Sequence, residues 1–380
     1  MRIAVNGWFW NSPTSGSGQY IRHLVEALSA LDADLQITLV VPTDKRQDAE
    51  DKAICSASCL LHFVSCPRSN LGKVWFEQVA FPRACRHLDA DVTHVPYWAP
   101  PMAPSIPTVV TIHDLIPLLL RDYRGGPLVR FYTALVSTTA QNAALVLTDS
   151  EASRQDIITH LDLPDERVRV VYLAANERYT PSPAPDDAGV RSRYGLPERY
   201  VLYLGGFDVR KNVATVLDTY RWAGPLIGED CPLVIAGRLP ERDTAFAPDP
   251  RRLAQEQGVE QFVRFTGFVD EADKPTLYRS AVAFVFPSHY EGFGLPPLEA
   301  LACGTPVVGS DVSSIPEVVG NAGVLLPPDD AEGMAGALIQ LAIDEDFCTE
   351  LSRRALAQAT QFSWARAAQE TLAAYRGAMG

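Results

Sequence analysis

Short apolar runs alternate along this chain with longer stretches in which apolar residues recur every three to four positions. The runs have the pattern of buried strands, and the 3.6-residue recurrence that of helices packed by one face. In the first half the runs predict strands at Arg2–Asn6, Gln36–Val41, Leu60–Val64, Val92–Val95, Thr108–His113, Leu145–Thr148 and Val168–Tyr172. Helical spacing predicts helices at Gln19–Leu31, Lys73–Arg86, Leu128–Gln141 and Glu151–Leu161; in the first, Ile21, Leu24, Val25, Leu28 and Leu31 make one apolar face. The alternation restarts with strands at Tyr200–Leu204, Leu233–Ala236, Val263–Phe265, Ala281–Phe286, Pro306–Gly309 and Gly323–Leu326. Helices at Ala214–Arg221, Ala272–Ser280, Leu298–Ala302 and Met334–Ile343 separate them. Alternation of this kind builds parallel sheets covered on both faces. The expected fold class is therefore α/β, with two doubly wound, Rossmann-like domains. Residues 180–189, rich in proline and acid, read as a linker between a domain 1–180 and a domain 190–362. A last helix occupies 363–380, with Ser363 as its N-cap.

Composition narrows the functional classes. A length of 380 residues suits two ordinary domains, and 47% hydrophobic residues supply a core for each. The net charge of −13 argues against a nucleic-acid partner. That charge is uneven: residues 1–180 carry 16 Lys+Arg and 19 Asp+Glu, residues 181–380 carry 17 and 27. The first half is thus the better suited to an anionic surface. Seven cysteines, without a zinc spacing and without a secretion signal before the first strand, favour reduced thiols in the cytoplasm. No apolar run reaches the ~18 residues of a spanning helix. Asp32-Ala33-Asp34 and Asp89-Ala90-Asp91 have the spacing of a metal-binding acid pair, but each precedes a strand, where turn aspartates are common. No metal and no cofactor are expected.

The densest chemistry lies at residues 286–308. An apolar strand runs into Glu291-Gly292-Phe293-Gly294, then Leu295-Pro296-Pro297 opens a helix that carries Glu299. Proline in the first turn is a helix start signal. Backbone N–H groups at a glycine turn and helix start attract anions. Two carboxylates beside an anion site suit a ligand with both phosphates and hydroxyls, which describes a sugar nucleotide.

This segment resembles the donor motif of the retaining glycosyltransferases of family four, which have the GT-B fold: two Rossmann-like domains facing across a cleft. The resemblance implies that Glu291 contacts the transferred sugar and that Glu299 holds the ribose hydroxyls, with Gly292, Phe293, Gly294 and Leu295 lining the donor. It extends to other segments. Gly16-Ser17-Gly18 matches the family's glycine loop, which assigns Gly16 and Gly18 to the donor. Gly205-Gly206-Phe207-Asp208-Val209-Arg210-Lys211-Asn212 departs from many members, which carry arginine where Gly206 stands, but matches a branch with Arg-Lys-Asn. The diphosphate role then falls on Arg210 and Lys211, whose cations can neutralise a leaving group as its charge grows. His113, at a strand end, resembles the histidine near the transferred sugar. Phe262–Val269 resembles the loop that cradles the nucleobase through its backbone, which points to Gly267 and Val269. Asp149-Ser150-Glu151-Ala152-Ser153-Arg154 resembles another family segment, or is only a helix cap with Ser150 and Glu151.

The implied activity is retaining transfer of a hexose from a nucleotide diphosphate sugar to a saccharide or lipid-linked acceptor. The branch resembles mannosyltransferases of polysaccharide assembly, which makes GDP-mannose the first choice of donor and a UDP-sugar the alternative. Peripheral contact of the first domain with the inner face of a membrane is expected, with Lys73-Val74-Trp75-Phe76-Glu77 as one segment near it. Competing readings are a sugar-nucleotide epimerase of the same architecture, a nicotinamide oxidoreductase and a non-catalytic nucleotide-sugar sensor. The oxidoreductase is disfavoured because no complete G-x-G-x-x-G follows the first strand.

Overall fold

The computed structural model describes residues 1–12, 15–32, 34–43, 54–56 (backbone) and 59–380. Ala33, within one of the two acid pairs, and the Cys55 side chain lie outside the described residues. The chain divides into two compact units, Met1–Leu173 with Ser363–Gly380, and Ala174–Phe362.

The first unit is built on β1 (Arg2–Asn6), β2 (Gln36–Thr43), β3 (Ile54–Ser56), β4 (Cys59–Ser65), β5 (Val92–Val95), β6 (Thr108–Thr111), β7 (Leu145–Thr148) and β8 (Val168–Val170). Their order in the sheet is β3-β4-β2-β1-β5-β6-β7-β8, and only the β3–β4 pair is antiparallel. The order reverses at β1, which has β2 on one side and β5 on the other. The last helix, Trp364–Ala378, belongs to this unit: Trp364 packs on Tyr20 and His23, and the Tyr375 hydroxyl lies 2.7 Å from His94 Nδ1. His94 is fully buried, and burial pushes its pKa down to about 3, so it is neutral.

The single helix expected over Lys73–Arg86 is three pieces: Asn70–Trp75, a π-turn at Phe76–Ala80, and Phe81–His87. Pro82 has no N–H to give to the carbonyl four residues back, so the helical ladder cannot run through unbroken. The turn faces Glu77 inward. That carboxylate is buried, accepts the Tyr132 hydroxyl at 3.1 Å and pairs with Lys73 at 3.6 Å. Burial pushes its pKa up to about 7, against the pull of Lys73.

The second unit contains β9 (Val201–Leu204), β10 (Leu233–Ala236), β11 (Val263–Gly267), β12 (Ala283–Phe286), β13 (Val307–Ser310) and β14 (Gly323–Leu326), all parallel, in the order β11-β10-β9-β12-β13-β14. Alternate residues feed two cores. Val201 and Tyr203 of β9 with Leu233 and Ile235 of β10 join one; Leu202, Leu204, Val234 and Ala236 join the other. This is why the strands read as unbroken apolar runs. The switch point lies between β9 and β12, and open parallel sheets bind ligands beyond the strand ends at such a point.

The stretch 180–189 is not a free linker but part of the second unit. It leads into the helix Asp187–Arg193, and the Asp187 carboxylate takes Arg279 Nη2 at 2.6 Å and the Thr276 hydroxyl at 2.7 Å. Arg279 holds that carboxyl well below its usual range. A polar composition concealed a segment held by ion pairs rather than by apolar burial. Among the described residues no helix is long and apolar enough to cross a membrane.

Candidate active site

At the switch point of the second unit, the loop after β9 meets the loop after β12. The first loop closes with the 3₁₀ turn Val209–Lys211 and with Asn212 in the left-handed conformation, φ 54°. Asparagine tolerates that conformation better than most residues. Its side chain is held by the Pro328 carbonyl at 2.8 Å and by the Thr215 hydroxyl at 3.0 Å. The turn directs two cations at one carboxylate. Arg210 Nη1 is 2.7 Å from Glu291 Oε2, and Lys211 Nζ is 2.7 Å from Glu291 Oε1. Arg210 Nη1 also donates to the Tyr290 carbonyl at 2.8 Å, and its Nε lies 3.7 Å from Asp208 Oδ1.

Glu291 is only 8% exposed. Burial pushes its carboxyl up, but Lys211 and Arg210 outweigh this and hold it below the usual range. Its backbone is fixed by the loop after β13: Glu291 N donates to Ser313 Oγ at 2.8 Å, and the hydroxyls of Ser313 and Ser314 donate to the Glu291 carbonyl at 2.6 and 3.0 Å. Ser313 has φ 56°, a conformation costly for serine and typical of functional loops. Neither serine stands out in the sequence, because what selects them is the neighbouring strand.

Gly292, Phe293 and Gly294 are buried behind Glu291, with Phe293 edge-on to Phe362 at 5.9 Å. Gly294 has φ 104°, which excludes a side chain, and caps the helix Leu295–Ala302 with prolines in its first turn. Glu299 projects from that helix and is half-buried. Its Oε2 accepts the Tyr278 hydroxyl at 3.0 Å, and Tyr179 also hydrogen-bonds it. Burial pushes its pKa up to about 7, opposed by Lys274, Tyr278 and Tyr179. The ribose role that the sequence resemblance implies for Glu299 requires its carboxylate ionised. Nucleotide affinity is therefore expected to be flat above pH 7 and to fall about tenfold by pH 6, with protons released on binding near neutrality. Calorimetry in two buffers of different ionisation enthalpy checks this. The nucleotide-free protein shows the opposite trend in this group's share of stability. Folded Glu299 keeps a proton that unfolded Glu loses above its ordinary 4.5, so that share falls as pH rises from 4.5 to 7.

The expected nucleobase loop follows β11. Gly267 has φ 73° and Val269 is buried. Between them Phe268 is exposed, and the Arg238 guanidinium, which follows β10, lies 5.1 Å from its ring centroid. Gly206 is exposed on the loop after β9, its carbonyl accepting the Tyr203 hydroxyl.

In the first unit, His113 lies just beyond β6, with Nδ1 2.6 Å from Asp149 Oδ2 and its ring edge-on to Tyr20 at 4.8 Å. Burial pulls its pKa down, but Asp149 outweighs this and raises it. Nε2 is buried and makes no hydrogen bond of normal geometry. Asp149 follows β7, and the parallel register that sets Thr111 against Leu147 brings His113 level with Asp149 two residues on. The two glycines of the first loop part ways. A Cβ on Gly18 would sit 2.0 Å from the Ser12 carbonyl oxygen, and its N–H donates to the N-cap Ser15 Oγ of the helix Gly16–Leu31, so the local packing requires glycine there. Gly16 opens the same helix with nothing near its Cβ position. Asp32 caps Asp34 N, and Asp89 and Asp91 both pair with Arg2. No group of three or more metal-ligating side chains gathers among the described residues.

Residues 191–358 match the family of glycosyl transferases group 1, and residues 14–177 match glycosyltransferase family 4. The O-antigen chain mannosyltransferase B of Escherichia coli is 35% identical over 269 residues, 70% of each chain. The serotype-specific mannosyltransferase WbdA of Escherichia coli is 32% identical over 74% of this chain, which spans 34% of that longer protein. The D-inositol 3-phosphate glycosyltransferase of Corynebacterium aurimucosum is 29% identical over 78% of this chain and 73% of its own. Among solved structures, sucrose-phosphate synthase of Thermosynechococcus elongatus superposes with a TM-score of 0.75 at 23% identity, covering 99% of this chain and 98% of that one. Anabaena HepE in complex with UDP-glucose gives 0.72 at 18%, covering 98% and 100%.

Proposed function

Because the chain belongs to glycosyltransferase family four and has its GT-B fold, we propose that it moves mannose from GDP-mannose to a saccharide hydroxyl with retention of configuration. The observation that carries this reading is the Glu291 carboxylate held between Lys211 and Arg210 at the switch point of the second unit. Cations in this position can stabilise a departing diphosphate, and a carboxylate between them can accept sugar hydroxyls. The mannosyltransferase relatives support the choice of sugar.

In the proposed reaction the bond from the sugar C1 to the donor phosphate oxygen breaks and its electron pair leaves with the diphosphate. Arg210 and Lys211, with the glycine turn Gly292–Gly294, stabilise that charge. The acceptor oxygen bonds to C1 on the same face, and its proton passes to the departing phosphate oxygen. Glu291 orients sugar hydroxyls and offsets positive charge at C1 without forming a covalent bond. Glu299 holds the ribose, and His113 is assigned a hydrogen bond to the transferred hexose from its Nε2. No metal or cofactor has a part in this scheme. An acceptor in the form of a glycan or lipid-linked saccharide agrees with what the O-antigen relatives are named for.

The base is assigned to the ends of β10 and β11. Arg238 offers the planar fork that pairs with O6 and N7 of guanine, which uracil cannot match. A thermal-shift comparison of GDP and UDP tests this. The wild type is expected to bind GDP at least tenfold more tightly, and Arg238→Ala to lose that preference while its UDP affinity stays unchanged. Equal loss for both nucleotides would place Arg238 elsewhere than at the base.

A further inference from the structure

A chain of buried polar groups in the first unit ends against His113, and the transfer scheme does not use it. The backbone of His113 is tied by Ser153 Oγ, which donates to its carbonyl at 3.0 Å, and its ring is tied through Nδ1 to Asp149. A hydrogen bond at one ring atom leaves an imidazole free to tilt about it. The Tyr20 ring stands against the His113 ring at 84°, with centroids 4.8 Å apart, and supplies a second constraint. Tyr20 is itself held at two points. Its hydroxyl lies 3.0 Å from Thr111 Oγ1, Thr111 Oγ1 lies 2.8 Å from His94 Nε2, and His94 Nδ1 meets the Tyr375 hydroxyl of the last helix. Its ring packs at 6.3 Å on Trp364, the first residue of the same helix.

Apolar side chains would fill this space without the desolvation cost of polar ones. Tyr20, His94, Thr111 and Tyr375 are all buried, yet each is joined to the next by a hydrogen bond. A satisfied buried network of this kind selects one arrangement among several of similar packing. Neutral His94 has one N–H and one lone pair, so it links its two partners in a single sense. We infer that Tyr20 is a positioning residue for His113, set in place by the last helix through Tyr375, His94 and Thr111 at its hydroxyl and through Trp364 at its ring. The inference rests on the assignment of His113 to the transferred hexose. The last helix then controls the aim of His113 Nε2 without touching substrate.

Proton NMR of the full chain reads the His113 Nδ1–H, identified by its loss in His113→Asn. Tyr20→Leu removes the ring, and Tyr375→Phe cuts the chain at the last helix. Each is expected to speed exchange of that proton with water by about tenfold. Leu372→Ala removes a buried side chain of the same helix that lies outside the chain of hydrogen bonds. It is expected to lower the melting temperature and to leave the exchange unchanged. In a transfer assay Tyr20→Phe and Tyr375→Phe are each expected to lower kcat about tenfold, and the double variant no further, because both cut one chain. Their GDP affinity is expected to stay at the wild-type value, since GDP carries no hexose. Unchanged exchange in Tyr20→Leu and Tyr375→Phe, or equal acceleration by Leu372→Ala, would overturn the inference. So would additive losses of kcat in the double variant. No turnover by the wild type, with the exchange rates as expected, would count against the reaction and leave the placement of His113 standing.

Discussion

Glu291→Gln is expected to lower turnover by about two to three orders of magnitude, the range seen when one preorganised electrostatic group is removed. The substitution keeps the size of the side chain and its capacity to hydrogen-bond sugar hydroxyls. It removes the charge that offsets positive character at C1. It also takes one counter-charge from Arg210, which keeps Asp208, and the paired carboxylate from Lys211, at 12% and 13% side-chain exposure. Breaking a buried pair of this sort costs about 3 kcal/mol. The ligand-free variant should therefore melt at a lower temperature than the wild type. A nucleoside diphosphate supplies the missing negative charge, so its stabilising effect on the variant should exceed its effect on the wild type. Thermal denaturation with and without GDP, beside a turnover assay, reads both halves. Unchanged turnover would remove Glu291 from the reaction.

Lys211→Met is expected to weaken GDP-mannose binding and turnover by about a hundredfold each. Methionine retains the apolar stem, including its contact with the Phe286 ring, 5.0 Å from Nζ in the wild type. What is lost is one charge-assisted contact to the diphosphate and one of the two partners of buried Glu291. The effect should be of similar size for GDP and UDP, because it acts at the phosphates. Guanosine, which has no phosphate, should bind both proteins alike. This separates Lys211 from Arg238, whose replacement should affect guanine nucleotides alone.

What could be read from the chain before its fold was known follows a physical rule. Glu291, the glycine turn and Glu299 lie within nine residues of one strand–turn–helix unit, so local sequence carries their geometry. Most strands were legible because burial on both faces leaves unbroken apolar runs. Arg210 and Lys211 were legible as a cationic pair before a helix, but their common partner Glu291 is 80 residues beyond Lys211. The partners that fix the site come from other strand ends. Asp149 reaches His113 through the β6–β7 register, and Ser313 reaches Glu291 from beyond β13. Tyr179 supports Glu299 from just before the stretch whose proline and acid content reads as a linker. Gly18 has a reason that the sequence does not display: the Ser12 backbone occupies the place of its Cβ. The break at Phe76–Ala80 depends on a single missing N–H at Pro82, which apolar periodicity does not register.

In the proposed function the second unit binds a nucleotide diphosphate sugar with Lys211 and Arg210 at its phosphates. Calorimetric titration of GDP-mannose into the wild type and into Lys211→Met, with guanosine as the control, tests it most directly. Saturable binding to the wild type, about a hundredfold weaker binding to the variant and equal guanosine affinity are expected. Equal GDP-mannose affinity in the two proteins, or none in the wild type, would contradict it.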